Sequence, residues 1–190
     1  MKNIVIFASG SGSNAEAIAR YFQNSDCITV KHVLTNRLTA DVHRRMAEIG
    51  VPTTNFTKEE WNEAKPIVDF LQKENIDFIV LAGFLAKIEP LLVKAFEGKM
   101  INIHPSLLPK FGGKGMWGMH VHEAVIAAGE KQSGITIHYI DEVFDNGEII
   151  FQAACDVMPD DTPESLAERI HTLEHKHFPE VIEQLLCNKD

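Results

Sequence analysis

Short apolar runs alternate with longer amphipathic stretches along the chain, and this alternation predicts the elements of the fold. Residues 4–8 form a continuous apolar run rich in β-branched side chains, and residues 9–14 are polar and rich in Gly and Ser. Residues 15–22 follow with apolar positions at helical spacing. The chain is therefore expected to begin with a strand, a tight loop and a helix.

The same succession recurs through the first hundred residues. It predicts strands at residues 28–34, near 53, 78–81 and 100–103, and helices at residues 41–49 and 59–73. Strands that alternate with helices are joined by right-handed crossovers and form parallel sheets. We therefore expect an α/β fold, with a mostly parallel sheet between helices on both faces.

The rhythm changes after residue 103. A long glycine-rich segment at 104–119 precedes a helix near 120–128 and two strands at 134–140 and 148–154, which are close enough in sequence to pair antiparallel. Thr162, Pro163 and Glu164 supply a capping hydroxyl, a first-position proline and a first-turn acid for a final helix that extends to about Leu186.

Length and charge limit the classes of protein that fit. The 190 residues are 45% hydrophobic and 24% charged, which suits one globular domain. The formal net charge of -9 tells against a protein that binds nucleic acid through a basic face. A small anionic ligand is still compatible, because backbone amides can hold it locally.

The N-terminus and the cysteines indicate a cytoplasmic protein. The apolar run at residues 4–8 is too short for a signal peptide or a membrane span and breaks into Gly and Ser. Cys27, Cys155 and Cys187 are an odd number without C-x-x-C spacing, so we expect reduced thiols rather than a disulfide framework or a zinc site.

The segment from Asn102 to Lys110 is the strongest candidate for chemistry. A strand alternates its side chains between faces, so Asn102 and His104 should point the same way. Pro105 keeps His104 extended rather than helical. An amide and an imidazole should therefore converge on one side of the strand end.

The loop from Gly10 to Asn14 has the features of an anion site. Its glycines allow the backbone to approach a ligand, and the amides at the start of the next helix carry partial positive charge. Gly10-Ser11-Gly12 followed by Ala15 also fits the looser dinucleotide pattern, although the second strand ends at Asn36 without an acid for a ribose. A phosphate monoester site is favoured over a dinucleotide site or a structural turn.

Two histidine patterns are compatible with a metal site, but structural interpretations are favoured for both. His171 to His175 matches H-x-x-E-H, yet catalytic zinc needs a third protein ligand and few residues follow, so a charged helix face is favoured. His120 and His122 beside Trp117 make a weak metal site without a carboxylate or thiolate, so they are expected at a loop and helix start. We expect no metal.

Two further segments have both a structural and a functional interpretation. Asp145-Asn146-Gly147 is a typical hairpin turn, but a carboxylate near His104 would orient the imidazole and raise its pKa. The glycines between residues 112 and 118 indicate a mobile lid, where ligand access is commonly controlled.

Several separate motifs together resemble the glycinamide ribonucleotide formyltransferase family, the folate-dependent enzymes of purine synthesis. They are a phosphate loop, a folate-side segment, a catalytic core and a two-part signature near the C-terminal strands, found at Ser9–Asn14, Leu81–Phe84, Asn102–Pro109, Gly134–Tyr139 and Asp145–Gly147. The resemblance covers nearly the whole chain and implies a Rossmann-like fold. It implies a phosphate-binding half at about 1–100 and a catalytic and folate-binding half at about 101–190.

The resemblance implies that Asn102, His104 and Asp145 form a catalytic trio. Formyl transfer to an amine passes through a tetrahedral oxyanion, which donors from Asn102 and a protonated His104 would stabilise. Asp145 would keep His104 protonated, and no metal or covalent intermediate is needed. The co-substrate is expected to be 10-formyltetrahydrofolate.

The family also implies where the two substrates bind. Gly12, Ser13 and Asn14 should hold the ribonucleotide phosphate, and Glu174 should lie near its glycinamide or ribose. The folate should contact Asn102, and its pterin pocket should be lined by Leu85, Ala86, Lys87 and Ile88. Many members carry Arg at the position of Ala86, so contacts from the backbone are expected there.

Other functions within and outside the superfamily share parts of this pattern. A sugar-nucleotide or methionyl-tRNA formyltransferase has the same core, and a folate- or nucleotide-binding regulator would lack activity. The acidic charge disfavours tRNA, and the phosphate loop disfavours a sugar nucleotide. We therefore expect small-molecule substrates, with neither nucleic acid nor membrane as a partner. The family also implies a cis peptide bond between Leu108 and Pro109.

Overall fold

A computed structural model describes residues 1–187, and within them seven strands form one sheet. The strands are β1 (Lys2–Phe7), β2 (Ile28–Thr35), β3 (Thr53–Asn55), β4 (Phe78–Leu81), β5 (Met100–His104), β6 (Gln132–Tyr139) and β7 (Ile149–Asp156). The helices are α1 (Ser13–Tyr21), α2 (Val42–Glu48), α3 (Lys58–Glu63), α4 (Lys65–Lys73), α5 (Pro90–Ala95), α6 (Met119–Ala127) and α7 (Pro163–Cys187).

The sheet order is β3-β2-β1-β4-β5-β6-β7. The first five strands in this order are parallel, whereas β6 runs antiparallel to both β5 and β7. The order reverses beside β1, where the chain moves out to β2 and β3 and then returns to β4. Such a switch point opens a crevice at the carboxyl ends of the strands. The expected α/β, Rossmann-like sheet with an antiparallel strand towards the C-terminus is confirmed.

Successive residues of β1 supply the cores on the two faces of the sheet. Ile4 and Ile6 pack into the core with α1, α6 and α7, while Val5 and Phe7 pack into the other with α3, α4 and α5. All four side chains are fully buried. A strand that is buried on both faces needs apolar side chains at every position. The continuous apolar run at residues 4–8 therefore predicted this strand.

Two features of the third and fourth crossovers differ from the expected elements. The single helix predicted at 59–73 is two helices, because Pro66 sits in the first turn of α4 and Ala64 turns the chain with a φ of 58°. Thr57 caps α3 in a reciprocal capping box with Glu60. The short helix α5 was not predicted, since its six residues show little periodicity.

The expectation of reduced cysteines is wrong for two of the three. Cys27 and Cys187 form a disulfide with a Cα–Cα distance of 5.8 Å, while Cys155 has a free thiol. The two cysteines are 160 residues apart, and they meet because α7 ends beside the loop that leads into β2. The spacing of the cysteines in the sequence does not predict such a pair.

Across residues 1–187 there is no helix with both the length and the apolar character needed to span a bilayer.

Opening this disulfide should destabilise the fold. In the chain-entropy account, linking residues 160 apart restricts the unfolded chain and contributes about 2–5 kcal/mol to the free energy of unfolding. Thermal unfolding with and without a reductant measures the effect, and we expect a clearly lower Tm in the reductant. Cys27→Ser should unfold at the lower temperature under both conditions, whereas Cys155→Ser should respond like the wild type. A wild-type Tm insensitive to reductant would contradict this expectation.

Candidate functional site

A cleft of about 540 Å³ opens at the carboxyl ends of the parallel strands. Its walls are the loops after β1, β4 and β5, the glycine-rich segment before α6, the β6–β7 turn and one face of α7. A cleft of this volume is typical of small-molecule sites. The residues proposed from the sequence for catalysis, for phosphate and for folate all line it: Gly12, Ser13, Asn14, Leu85, Ala86, Lys87, Ile88, Asn102, His104, Asp145 and Glu174.

Asn102, His104 and Asp145 converge in the middle of the cleft. The strand β5 presents Asn102 and His104 on the same side, as its alternation requires. Asp145 lies in the turn between β6 and β7 with a φ of 53°, and its Oδ2 is 3.6 Å from His104 Nδ1. The segment is therefore a turn, as its composition predicts, and also carries a carboxylate into the cleft.

Asp145 also lies between two other groups. Its Oδ1 is 3.6 Å from Nε2 of His138, and its Oδ2 accepts a hydrogen bond of 2.8 Å from the backbone N–H of Gly113. The carboxylate therefore links both histidines to the glycine-rich segment. Although burial opposes ionisation, the neighbouring His138 and His104 and the hydrogen bond from the Gly113 N–H lower the pKa of Asp145.

His138 orients the amide of Asn102. Residue pairing places the two opposite each other on β5 and β6, and Asn102 Nδ2 lies 3.2 Å from His138 Nε2. The Nδ1–H of His138 donates to the carbonyl of Tyr139 at 2.8 Å, which leaves Nε2 as the acceptor in the neutral ring. The amide nitrogen of Asn102 keeps a second hydrogen for a ligand.

Burial dominates the electrostatics of His104. Burial lowers its pKa, and the Asp145 carboxylate and the Phe111 carbonyl offset this effect in part. The Nε2–H of His104 donates to the Phe111 carbonyl at 2.8 Å, so Nδ1 is the nitrogen that faces Asp145. Burial thus opposes the protonation that Asp145 favours, and the expectation that Asp145 keeps His104 protonated stays a prediction.

The loop after β1 is shaped by a close approach to α2. Gly12 has a φ of 74°, and a Cβ at this position would lie 2.4 Å from a methyl carbon of Val42. Only glycine fits both the conformation and the contact. The loop therefore passes directly into α1, whose first residues are Ser13 and Asn14.

Glu174 and Asn14 meet at the start of α1. Asn14 donates from Nδ2 to Glu174 Oε2 at 2.8 Å. Glu174 is 5% exposed, and burial raises the pKa of its carboxyl even though the hydrogen bond from Asn14 acts in the other direction. A carboxyl on α7 is thus held beside the loop, as the sequence interpretation of Glu174 requires.

Ser9 connects the two ends of the cleft and was not identified from the sequence as a site residue. Its hydroxyl donates to Asn36 Oδ1 at 2.7 Å and accepts from the backbone N–H of Leu85 at 2.9 Å, and its own N–H donates to Gly83. Phe84, between these backbone contacts, packs against Phe7 and Trp61. The segment with Leu85, Ala86, Lys87 and Ile88 is thereby anchored beside the loop after β1.

The segment after His104 is held by a buried polar network. The Leu108–Pro109 peptide bond is cis, as the family resemblance implies. Thr136 on β6 accepts a hydrogen bond from the Leu108 N–H and donates to the Ser106 carbonyl, and Gln152 on β7 donates to both Thr136 and the Leu108 carbonyl. The network fixes the backbone that follows His104 to the antiparallel strands.

The histidine patterns do not form a metal centre within residues 1–187, where no cluster of three or more His, Cys, Asp or Glu side chains has suitable geometry. His171 and His175 stack with their ring centroids 6.3 Å apart on α7. His120 is exposed near the start of α6, as expected, but His122 is 2% exposed and lines the cleft.

The sequence interpretation gave no individual site role to His138 and Thr136, and it placed His122 at a helix start rather than in the cleft. His138 and Thr136 alternate on one strand with apolar residues on either side, a pattern that marks polar groups on a buried face. That signal was present in the sequence. The burial of His122 had no comparable sequence signal, because it depends on how α6 packs against α7.

His122 should make the protein sensitive to acid. Burial, together with the nearby His171, lowers the pKa of His122 to about 4. Below its usual pKa near 6.5, the unfolded chain therefore binds a proton that the folded chain refuses, and about 3 kcal/mol of stability is lost between pH 6.5 and pH 4. Urea unfolding at pH 7 and pH 4 measures the loss. His122→Gln should lose less than the wild type, and the exposed His120→Gln should match the wild type; equal losses in all three would refute this origin.

Comparison with known families is consistent with the geometry. Residues 2–182 match the model of the formyl transferase family. A phosphoribosylglycinamide formyltransferase of Bacillus subtilis is 39% identical, and the match covers 98% of this chain and 95% of the relative. A chloroplastic phosphoribosylglycinamide formyltransferase of Vigna unguiculata is 41% identical over 97% of this chain, which spans 61% of that protein's length. The chain thus spans about three fifths of such plant relatives.

Solved structures show the same likeness. Glycinamide ribonucleotide transformylase 1 from Geobacillus kaustophilus has a TM-score of 0.89 and 38% identity, covering 98% of this chain and 99% of that one. The phosphoribosylglycinamide formyltransferase from Streptococcus pneumoniae has a TM-score of 0.87 and 35% identity, covering 97% and 99%. The chain belongs to the formyl transferase family.

Proposed function

We propose that this protein transfers the formyl group of 10-formyltetrahydrofolate to the amine of glycinamide ribonucleotide, giving formylglycinamide ribonucleotide and tetrahydrofolate in purine biosynthesis. The observation that carries the proposal is the convergence of Asn102, His104 and Asp145 between a phosphate-type loop and an anchored folate-side segment in one cleft. The names of the similar bacterial proteins support the same reaction.

Catalysis requires a donor at the oxyanion. The amine attacks the formyl carbon, and negative charge develops on the formyl oxygen as the tetrahedral intermediate forms. The hydrogen bond to His138 holds the Asn102 amide in place, so its second N–H can donate to the oxyanion without a change in side-chain orientation. A fixed donor of this kind is typically worth on the order of a hundredfold in rate.

His104 and Asp145 would transfer a proton from the attacking amine to the leaving folate nitrogen. The attacking amine loses a proton, and the folate nitrogen gains one when its bond to the formyl carbon breaks. A neutral His104 with Nδ1 facing Asp145 can accept a proton, and the carboxylate then stabilises the imidazolium that forms. The imidazolium would stabilise the oxyanion through its positive charge and then return the proton to the leaving nitrogen.

The two ends of the cleft suit the two substrates. Backbone amides at Gly12, Ser13 and Asn14 would bind the phosphate, and Glu174 would contact the ribose or glycinamide. At the other end, Leu85 to Ile88 would contact the pterin through backbone groups, which are available whatever side chain stands at residue 86. A cytoplasmic location and a reduced folate as the donor belong to the same proposal.

A direct assay tests this function. The protein is mixed with a 10-formylfolate donor and glycinamide ribonucleotide, and the absorbance of the folate product is followed. Methionyl-tRNA and an amino sugar nucleotide serve as alternative acceptors. We expect turnover with the ribonucleotide; turnover with one of the other acceptors alone would refute the substrate assignment, and binding of both ligands without turnover would indicate a regulator.

Asp145→Asn tests the proton step. Asparagine keeps an oxygen that can accept from Gly113 but removes the charge, so the pKa of His104 should fall below its already lowered value. We expect kcat to fall roughly 10- to 100-fold, and the kinetic pKa to move to lower pH. The pH dependence of kcat measures both changes.

Asp69→Asn is the matched control for Asp145→Asn. Asp69 is exposed on α4 and pairs with Lys65, so the substitution removes the same charge far from the cleft. Its pH profile should match the wild type. If Asp145→Asn also kept the wild-type profile, Asp145 would be a turn residue alone.

A further inference from the structure

We propose that Ser9 and Asn36 are a positioning pair for the formyl donor, because together they fix the segment from Leu85 to Ile88 relative to the loop after β1. The inference rests on the proposed function, in which that segment contacts the pterin. The segment lines the cleft. Ser9 is fully buried, so its side chain acts on a ligand through the residues that it holds rather than by contact.

Ser9 lies between the two loops that it joins. It follows β1, which is placed in the sheet between β2 and β4 and pairs with both in parallel. Asn36 directly follows β2, and Leu85 belongs to the loop after β4. The N–H of Ser9 donates to the Gly83 carbonyl at 3.1 Å, and the hydroxyl extends this link further into the loop. The pair therefore connects both sides of the crevice that opens where the strand order reverses.

The Ser9 hydroxyl acts as a donor and as an acceptor. It donates at 2.7 Å to Asn36 Oδ1 and accepts at 2.9 Å from the backbone N–H of Leu85. A hydroxyl has a single hydrogen, so its donation to Asn36 leaves the oxygen lone pairs for the Leu85 N–H. Donation also makes the oxygen a stronger acceptor. Asn36 therefore orients the hydroxyl that holds Leu85.

Asn36 stands at the position where a dinucleotide-binding sheet carries an acid for a ribose hydroxyl. In this chain the side-chain oxygen at that position accepts from a buried serine instead. A neutral amide can do so without placing a negative charge beside the cleft. The end of β2 therefore supports the opposite loop, which explains why an amide replaces the acid.

The Ser9 hydroxyl is the last polar link to the folate-side segment. Within residues 1–187, the backbone N–H and C=O groups of Ala86, Lys87 and Ile88 make no hydrogen bond with the protein. Unpaired backbone groups in a row suit the edge of a pterin, which carries donors and acceptors. They favour binding only if the segment is already in place, because ordering it on binding would reduce the affinity. The bond from Leu85 to Ser9 supplies this preorganisation.

The loop after β1 is held independently of the pair. The carbonyl of Gly10 accepts from the Val42 N–H at 3.3 Å, and the carbonyl of Gly12 accepts from the Glu16 N–H at 2.8 Å. Gly12 also lies directly against Val42. These contacts tie the loop to α1 and α2. Loss of the Ser9 hydroxyl should therefore disturb the donor end of the cleft and leave the acceptor end nearly unchanged.

Separate Michaelis constants for the two substrates test the pair. Ser9→Ala should raise KM for 10-formyltetrahydrofolate on the order of tenfold, while KM for glycinamide ribonucleotide stays within about twofold of the wild type. Asn36→Ala should raise the same constant by a smaller factor, because the hydroxyl remains but loses its orientation. The double substitution should match Ser9→Ala, since both residues act through one bond to Leu85.

Ser133→Ala is the matched control. Ser133 lies near the start of β6, is 2% exposed, and its hydroxyl has no hydrogen-bond partner among the residues that the structure describes. The substitution therefore removes a buried hydroxyl that holds no loop. Both Michaelis constants should match the wild type.

Hydrogen exchange measures the link without any substrate. The Leu85 N–H is protected by Ser9, so its exchange rate, followed by NMR, should rise on the order of tenfold in Ser9→Ala and stay unchanged in Ser133→Ala. Thermal unfolding of each variant gives its stability. A purely structural role of Ser9 would lower Tm and leave the ratio of the two Michaelis constants at its wild-type value.

An unchanged KM for the folate in Ser9→Ala overturns the inference, as does an equal rise in both constants or an unchanged exchange rate at Leu85. If the wild type turns over no acceptor, the proposed function fails, and calorimetric titration with 10-formyltetrahydrofolate decides the inference by itself. Weaker binding to Ser9→Ala than to the wild type would then support the pair, and equal affinities would refute it. A wild type that binds no folate would refute both proposals.

Discussion

The parallel pairing of β1, β4 and β5 in the centre of the sheet is the constraint on which the site depends. Because these strands run in the same direction, the loops that leave them meet at one edge. Each loop supplies a different part of the cleft, namely the loop with Gly12 to Asn14, the segment with Leu85 to Ile88 and the strand end with Asn102 and His104. Ser9 joins the first two of these through its hydroxyl and backbone. The cleft is therefore assembled by strand order rather than by proximity in sequence.

The antiparallel strand β6 contributes what parallel strands cannot. Its register sets His138 directly opposite Asn102 and Thr136 opposite His104. The turn that follows it returns Asp145 to the same edge. One reversal of direction thus places a partner beside the Asn102 amide, a support under the segment after His104, and a carboxylate facing its imidazole.

Sequence patterns predicted the parts of the fold that rest on local periodicity and turn chemistry. Fully buried strands, the capped start of α7 and the shared face of Asn102 and His104 are examples, since each depends on residues close in sequence. The break between α3 and α4 at Ala64 was not predicted, because the strong helical periodicity of residues 59–73 outweighed the single proline at residue 66. The Cys27–Cys187 pair and the burial of His122 depend on how distant helices pack, for which spacing carries no signal.

The charge state of His104 shows why the site could be located from sequence more readily than its electrostatics. An adjacent carboxylate predicts a raised pKa, and Asp145 does act in that direction. The size of the opposing effect depends on the exclusion of water by the surrounding strands and the glycine-rich segment, which is a property of the folded cleft. A neutral imidazole next to an ionised carboxylate can accept the proton released by an attacking amine, whereas an imidazolium cannot. Burial and the carboxylate therefore act on the pKa of His104 in opposite directions, and only the direction of the carboxylate can be inferred from the residues alone.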